Sequence, residues 1–184
     1  MKNGKEKKKS ILKSIIVAIL AVIAAMLIGT VIFMSIPMHA DETAISAIEN
    51  TGAYESSGVT VEEIDGKLAF MPDECNAGLI FYPGARVDYR AYAPLMQCLA
   101  SRGVLCVVCP MPMNFALMGV NAADGVRDAF PQVSSWYIGG HSLGGVAASQ
   151  YVKSHADEFE GLILLASRST EYLGDESLKV LEVH

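Results

Sequence analysis

The residues best suited to chemistry lie in the run Gly140-His141-Ser142-Leu143-Gly144. A serine hydroxyl becomes a nucleophile once a neighbouring group accepts its proton. Glycines two residues before and two residues after it allow a turn so sharp that side chains at those positions would collide. Ser135-Trp136-Tyr137-Ile138 precedes this run as a short strand-like segment, and Val146-Ala147-Ala148-Ser149-Gln150-Tyr151-Val152 follows it as a helix-like one. Ser142 is therefore expected on a strand-to-helix elbow, with Gly140 and Gly144 as its structural supports. The first N–H groups of a helix have no partner within it, and the helix dipole favours negative charge there, so the turn suits an oxyanion. The competing explanation is a glycine-rich turn with an incidental serine.

The elements that must hold this turn are legible around it. Val59 to Ile64 and Lys67 to Met71 flank Asp65-Gly66, a tight-turn pair, and read as a β-hairpin. Apolar runs then alternate with helix-like segments, the pattern of a parallel sheet with crossover helices. The strands expected are Ala77 to Tyr82, Val104 to Cys109, the run before the elbow, Leu162 to Ala166 and Leu178 to Val183. One helix begins near Pro94, with Tyr92, Leu95, Met96 and Leu99 on its apolar face and Gly103 as its stop. A second is expected from about Asn121 to Phe130, ended by Pro131. The fold class is α/β, with a mostly parallel sheet and flanking helices.

Residues 1–14 form a basic tail: up to Lys13 they hold six lysines and one glutamate, so of the net charge of −6 the remainder of the chain carries −11. That balance repels phosphates, and no nucleic-acid partner is expected. Residues 15–38 contain no charged side chain. As a helix of 24 residues they are long enough for a bilayer core of ~30 Å. Lysines before the run and Asp41 and Glu42 after it orient the N-terminus to the cytoplasm and the folded domain to the outside, as a single-pass anchor. A cleaved signal peptide is the alternative, but its apolar region is usually about 7 to 15 residues, and Met38-His39-Ala40 lacks its small-x-small ending. Residues 39–57 are expected to be a linker and 58–184 the folded domain. Cys106 and Cys109, three apart on a strand, face opposite sides and are expected as small buried hydrophobes, and the four cysteines are not read as a disulfide framework.

From about Val59 to His184 the chain resembles the α/β-hydrolase family, within it the small lid-less branch similar to dienelactone hydrolases. The resemblance is most specific at Gly140-His141-Ser142-Leu143-Gly144-Gly145 and at Phe81-Tyr82-Pro83-Gly84-Ala85-Arg86-Val87-Asp88-Tyr89. It implies Ser142 as the nucleophile, the N–H groups of Leu143 and Ala85 as an oxyanion hole, and a small ester or acyl substrate, with no metal or cofactor. The apolar loop from Met111 to Met118 is expected near the site, with Met111, Met113 and Phe115 lining it; packing against the sheet accounts for the same residues equally well.

The chain departs from the family where the triad should close. Family order is serine, then acid, then histidine. Here His184 is only 42 residues past Ser142, at a strand end; His141 adjoins the serine; His155 follows the helix at the far end of the sheet; His39 closes the apolar run. Glu171 and Asp175 are the acids available for a variant arrangement. The expectation is an N-terminal portion of a longer membrane-anchored serine hydrolase, nearly inactive by itself because acid and base lie beyond it. An acyltransferase, or an anchored domain that binds without catalysis, are the alternatives.

Overall fold

The computed structural model describes residues 2–55, 57–173 and 178–184, in two units, Met1–Ile36 and Pro37–His184. The first unit is helix α1, Lys2–Ser35. Its segment Ser10–Phe33 has a mean hydropathy of 3.1 and none of it is buried. Twenty-four residues at 1.5 Å each span ~36 Å, so the helix is long and apolar enough to cross a bilayer.

The second unit is a seven-stranded sheet in the order β1-β2-β4-β3-β5-β6-β7. β1 (Val59–Ile64) and β2 (Lys67–Pro72) form the antiparallel hairpin, and Asp65 and Gly66 both take positive φ in its turn. β2 pairs antiparallel with β4 (Val104–Val108), after which β4, β3 (Ala77–Tyr82), β5 (Ser135–His141), β6 (Gly161–Leu165) and β7 (Lys179–Val183) run parallel. The central strands are buried on both faces, which is why they read as unbroken apolar runs. Leu79 and Phe81 join Cys106 and Val108 in one core cluster, whereas Ile80 and Tyr82 join Leu105, Val107 and Cys109 in the other. Cys106 and Cys109 thus point to opposite faces, and all four cysteines are free. Burial pushes both of these thiols up, that of Cys109 to about 12.

One face is covered by α2 (Glu42–Glu49) and α3 (Ala93–Ala100), the other by α5 (Leu143–Lys153) and the turns after β4. Two expected segments differ. Residues 39–57, expected as a linker, contain α2, capped by the Asp41 side chain accepting from Ala44 N–H. Ala44 and Ala47 are buried, and Gln97 Nε2 donates to the Ala47 carbonyl. The helix expected from Asn121 to Phe130 is instead a 3-10 turn, Val120–Ala123, and a four-residue helix, α4, Val126–Ala129. Gly125 at φ +75° separates them. The Tyr82 hydroxyl fixes the break, donating to the Val120 carbonyl (2.6 Å) and accepting from Ala123 N–H (2.9 Å).

Candidate functional site

Ser142 joins β5 to α5 at φ +51°, ψ −122°, a backbone conformation costly for a residue with a side chain. The chain holds it there from both sides. Ser142 N–H donates to the Leu165 carbonyl (2.9 Å), extending the sheet by one bond. Its carbonyl accepts from Gly145 N–H (3.0 Å) and from the buried Ser167 hydroxyl (2.7 Å). The serine side chain is exposed and does not cap the helix. The glycines on either side serve close approach. A Cβ on Gly140 would lie 2.4 Å from the Gly144 carbonyl carbon, and a Cβ on Gly144 would lie 2.1 Å from the Tyr82 carbonyl oxygen. Gly140 therefore lets the elbow close on itself, and Gly144 lets the start of α5 lie against the end of β3.

That contact brings the turn after β3 to the N-terminus of α5. Gly84 to Val87 form a β-turn closed by Val87 N–H to the Gly84 carbonyl (3.2 Å), with Arg86 at φ +59°. Among the described residues, neither the Ala85 N–H nor the Leu143 N–H has an acceptor. One belongs to the turn and the other to the first position of the helix. Two unpaired donors flanking an exposed serine hydroxyl can bind an oxygen that gains negative charge. Gly84 N–H donates to the Tyr92 hydroxyl (2.9 Å), which stands 2.9 Å from His141 Nδ1. The phenol and Nδ1 share one hydrogen bond, whose direction follows the imidazole tautomer. Burial pushes the Tyr92 phenol up, so it stays protonated. His141 is thus engaged in bracing the turn.

Asp88 locks the other end of the turn. It is buried, and its carboxylate accepts from Arg90 N–H (3.0 Å) and from the Arg90 guanidinium (2.6 Å to Nη2). The Arg90 hydrogen bonds hold the Asp88 carboxyl below its ordinary 3.8, against the opposing effect of burial. A carboxyl lowered in the folded state contributes stability above its unfolded value and loses it as pH falls through the folded one. Asp88→Asn is therefore expected to lower stability at pH 7 by about 1 kcal/mol, a modest figure because the Arg90 side chain is half exposed to screening solvent. In urea titrations of the detergent-solubilised protein, the gap between the two proteins should close below pH 4; a gap unchanged down to pH 2 would remove Asp88 from this role.

The remaining candidates lie as follows. Glu171 is ion-paired with Lys153 (2.6 Å) at the C-terminal end of α5, about 15 Å along the helix from Leu143. His155 stacks on Tyr151 at 4.1 Å and its Nδ1 lies 2.9 Å from the Tyr151 carbonyl, also at that end. His184 lines an open depression with Ala166, Ser167 and Arg168 and lies 3.6 Å from Glu182. Asp175 falls outside the described residues. Met111 is buried in the core, Phe115 is half-buried and Met113 is exposed. The loop meets the site through Asn114, whose carbonyl accepts from Arg86 N–H (2.7 Å). Among the described residues, no group of three or more His, Cys, Asp or Glu side chains is gathered to hold a metal.

Sequence reasoning missed Tyr92, Asp88 and Ser167 as organisers of this site. Tyr92 lies on the apolar stripe before α3, and only its hydroxyl, which needs a partner when buried, hints at more.

A family model described as "Alpha/beta hydrolase family" matches residues 78–184. Among solved structures, the chain is similar to a bacterial heroin esterase at 21% identity, with 68% of this chain and 50% of that one covered and a TM-score of 0.51. It is also similar to TT1662 from Thermus thermophilus (18% identity, 59% and 57% covered, TM-score 0.48). A third is Est1E from Butyrivibrio proteoclasticus (20% identity, 60% and 51% covered, TM-score 0.42). The chain spans between half and three-fifths of the length of these structures. No curated protein matches it.

Proposed function

Because this chain belongs to the alpha/beta hydrolase family, we propose that it is the nucleophile-bearing part of a membrane-anchored serine hydrolase acting on a small ester or similar acyl substrate. The observation that carries this is the exposed Ser142 at φ +51°, flanked by the unpaired N–H groups of Leu143 and Ala85. Ser142 Oγ attacks the acyl carbon and loses its proton to the base. The carbonyl oxygen, now negative, is held by the two N–H groups. Collapse expels the alcohol, which takes the proton, and water then releases the acid and restores the serine.

In this reading the acid and base are residues other than His141, His155 and Glu171, which are engaged elsewhere. Helix α1 is the anchor, N-terminus in the cytoplasm and the hydrolase domain outside, as the lysine-rich flank favours.

A fluorophosphonate probe tests the reading, applied to the full-length protein in its membrane. The expected result is one covalent adduct, mapped by peptide mass to Ser142. An adduct that persists in Ser142→Ala, or none in a folded protein, would overturn the assignment and favour a domain that binds without catalysis.

A further inference from the structure

The turn that supplies the Ala85 N–H is gripped by two segments, and both carry exposed apolar side chains. On one side is Met38, the last residue of the apolar run. Met38 pairs with Val87 in a parallel bridge: its N–H donates to the Arg86 carbonyl, and its carbonyl accepts from Asp88 N–H (2.9 Å). On the other side is the loop whose Asn114 carbonyl accepts from Arg86 N–H. Met113 and Asn114 in that loop both take positive φ. Met38 and Met118 are 58% exposed, Met113 41% and Leu117 39%. Methionine and leucine at a rim of this kind gain free energy when apolar surface takes the place of water against them.

We propose that this rim lies on the outer bilayer surface, so that the acyl substrate reaches Ser142 from the lipid side. The inference rests on the anchor and the nucleophile assigned above. The occupant follows from connectivity. Only two residues, Ile36 and Pro37, separate Ser35, the last residue of α1, from Met38, and the three residue steps reach at most ~11 Å. A chain that crosses the bilayer up to Ser35 has no slack to carry the oxyanion turn far from the headgroups before Met38 is bonded to it. The substrates selected are esters whose acyl part partitions into the interface, where the membrane concentrates them.

The test uses tryptophan quenching, read as the emission added over the parent protein; Trp136, the one tryptophan of this sequence, is buried. Met118→Trp places an added, exposed indole on the rim. Gln132→Trp places one on an exposed residue ahead of β5, about 20 Å away at the opposite ends of the strands. Each full-length variant is reconstituted in phosphatidylcholine vesicles with and without bromine on the acyl chains. The expected result is that bromine lowers the added emission of Met118→Trp about twofold or more, as for a side chain within the acyl boundary, and leaves that of Gln132→Trp unchanged. Equal emission from Met118→Trp in the two kinds of vesicle would overturn the proposal. The readout needs no turnover, so a failed fluorophosphonate reaction at Ser142 and a failed membrane contact are told apart.

Discussion

Ser142→Ala in the full-length protein is expected to lower ester turnover by about 10⁴-fold or more while leaving the unfolding temperature unchanged. The two halves of that expectation have separate causes. The hydroxyl caps no helix and is exposed, so the fold does not use it. What the fold does use is the Ser142 backbone, through Leu165, Gly145 and Ser167, and alanine keeps that backbone. Alanine also keeps the strain of φ +51°, because the penalty comes from Cβ. Ser142→Gly removes Cβ and should be more stable than either by about 1 kcal/mol, while equally inactive. A p-nitrophenyl ester assay and thermal unfolding of the three proteins check both halves. Ser142→Ala with a tenth of the original turnover would exclude the serine from the chemistry, and Ser142→Gly no more stable than Ser142→Ala would place the strain elsewhere.

That elbow was legible in the sequence because glycine and serine at fixed spacing report a steric requirement, and such requirements are local. The strands were legible for a related reason. Residues of β3 and β4 are buried on both faces of the sheet, so they appear as continuous apolar runs with glycine or proline at their ends. Helix α2 was not legible, because its eight residues make little more than two turns, too short a stretch for the apolar spacing by which Ala44, Ala47 and Ile48 pack it beside α3. The break in the segment from Asn121 to Phe130 was hidden for a different reason. It depends on the Tyr82 hydroxyl, some forty residues earlier in the chain, holding Val120 and Ala123. The bracing of Gly84 by Tyr92 and His141 is of the same kind: a bond between residues 49 apart has no signature in spacing.

Where such distant bonds meet the elbow, the site becomes a shared structure rather than a property of one motif. The turn carrying Ala85 is tied to Tyr92 through Gly84, to the loop after β4 through Arg86 and Asn114, and to Met38. The elbow leading into Leu143 is tied to β6 through Leu165 and to the segment after it through Ser167. The N–H groups of Leu143 and Ala85 keep their relative position only while these ties hold, and in the oxyanion role proposed for them a preorganised pair of donors is effective because nothing has to move when charge develops.

Gly144→Ala is therefore expected to be the most damaging single substitution of the fold near the site. Its Cβ would stand 2.1 Å from the Tyr82 carbonyl oxygen and 2.4 Å from that of Pro83. Both are main-chain atoms at the end of a central strand, so relief requires α5 to move away from β3. A loss of about 4 kcal/mol is the scale of such a change. In molecules that remain folded, separation of the Leu143 and Ala85 N–H groups should slow labelling of Ser142 by a further ~10²-fold, the effect of losing one oxyanion donor. Gly145→Ala provides the contrast, since its Cβ would meet the Ser167 side chain at 2.5 and 2.6 Å. That obstacle can be removed, and Gly145→Ala combined with Ser167→Gly should regain part of the lost stability. No side-chain deletion should rescue Gly144→Ala, because what it strikes is backbone. Urea unfolding and fluorophosphonate labelling rates on the four proteins decide the matter; a Gly144→Ala protein as stable as its parent would mean that α5 and β3 do not meet as closely as the elbow requires.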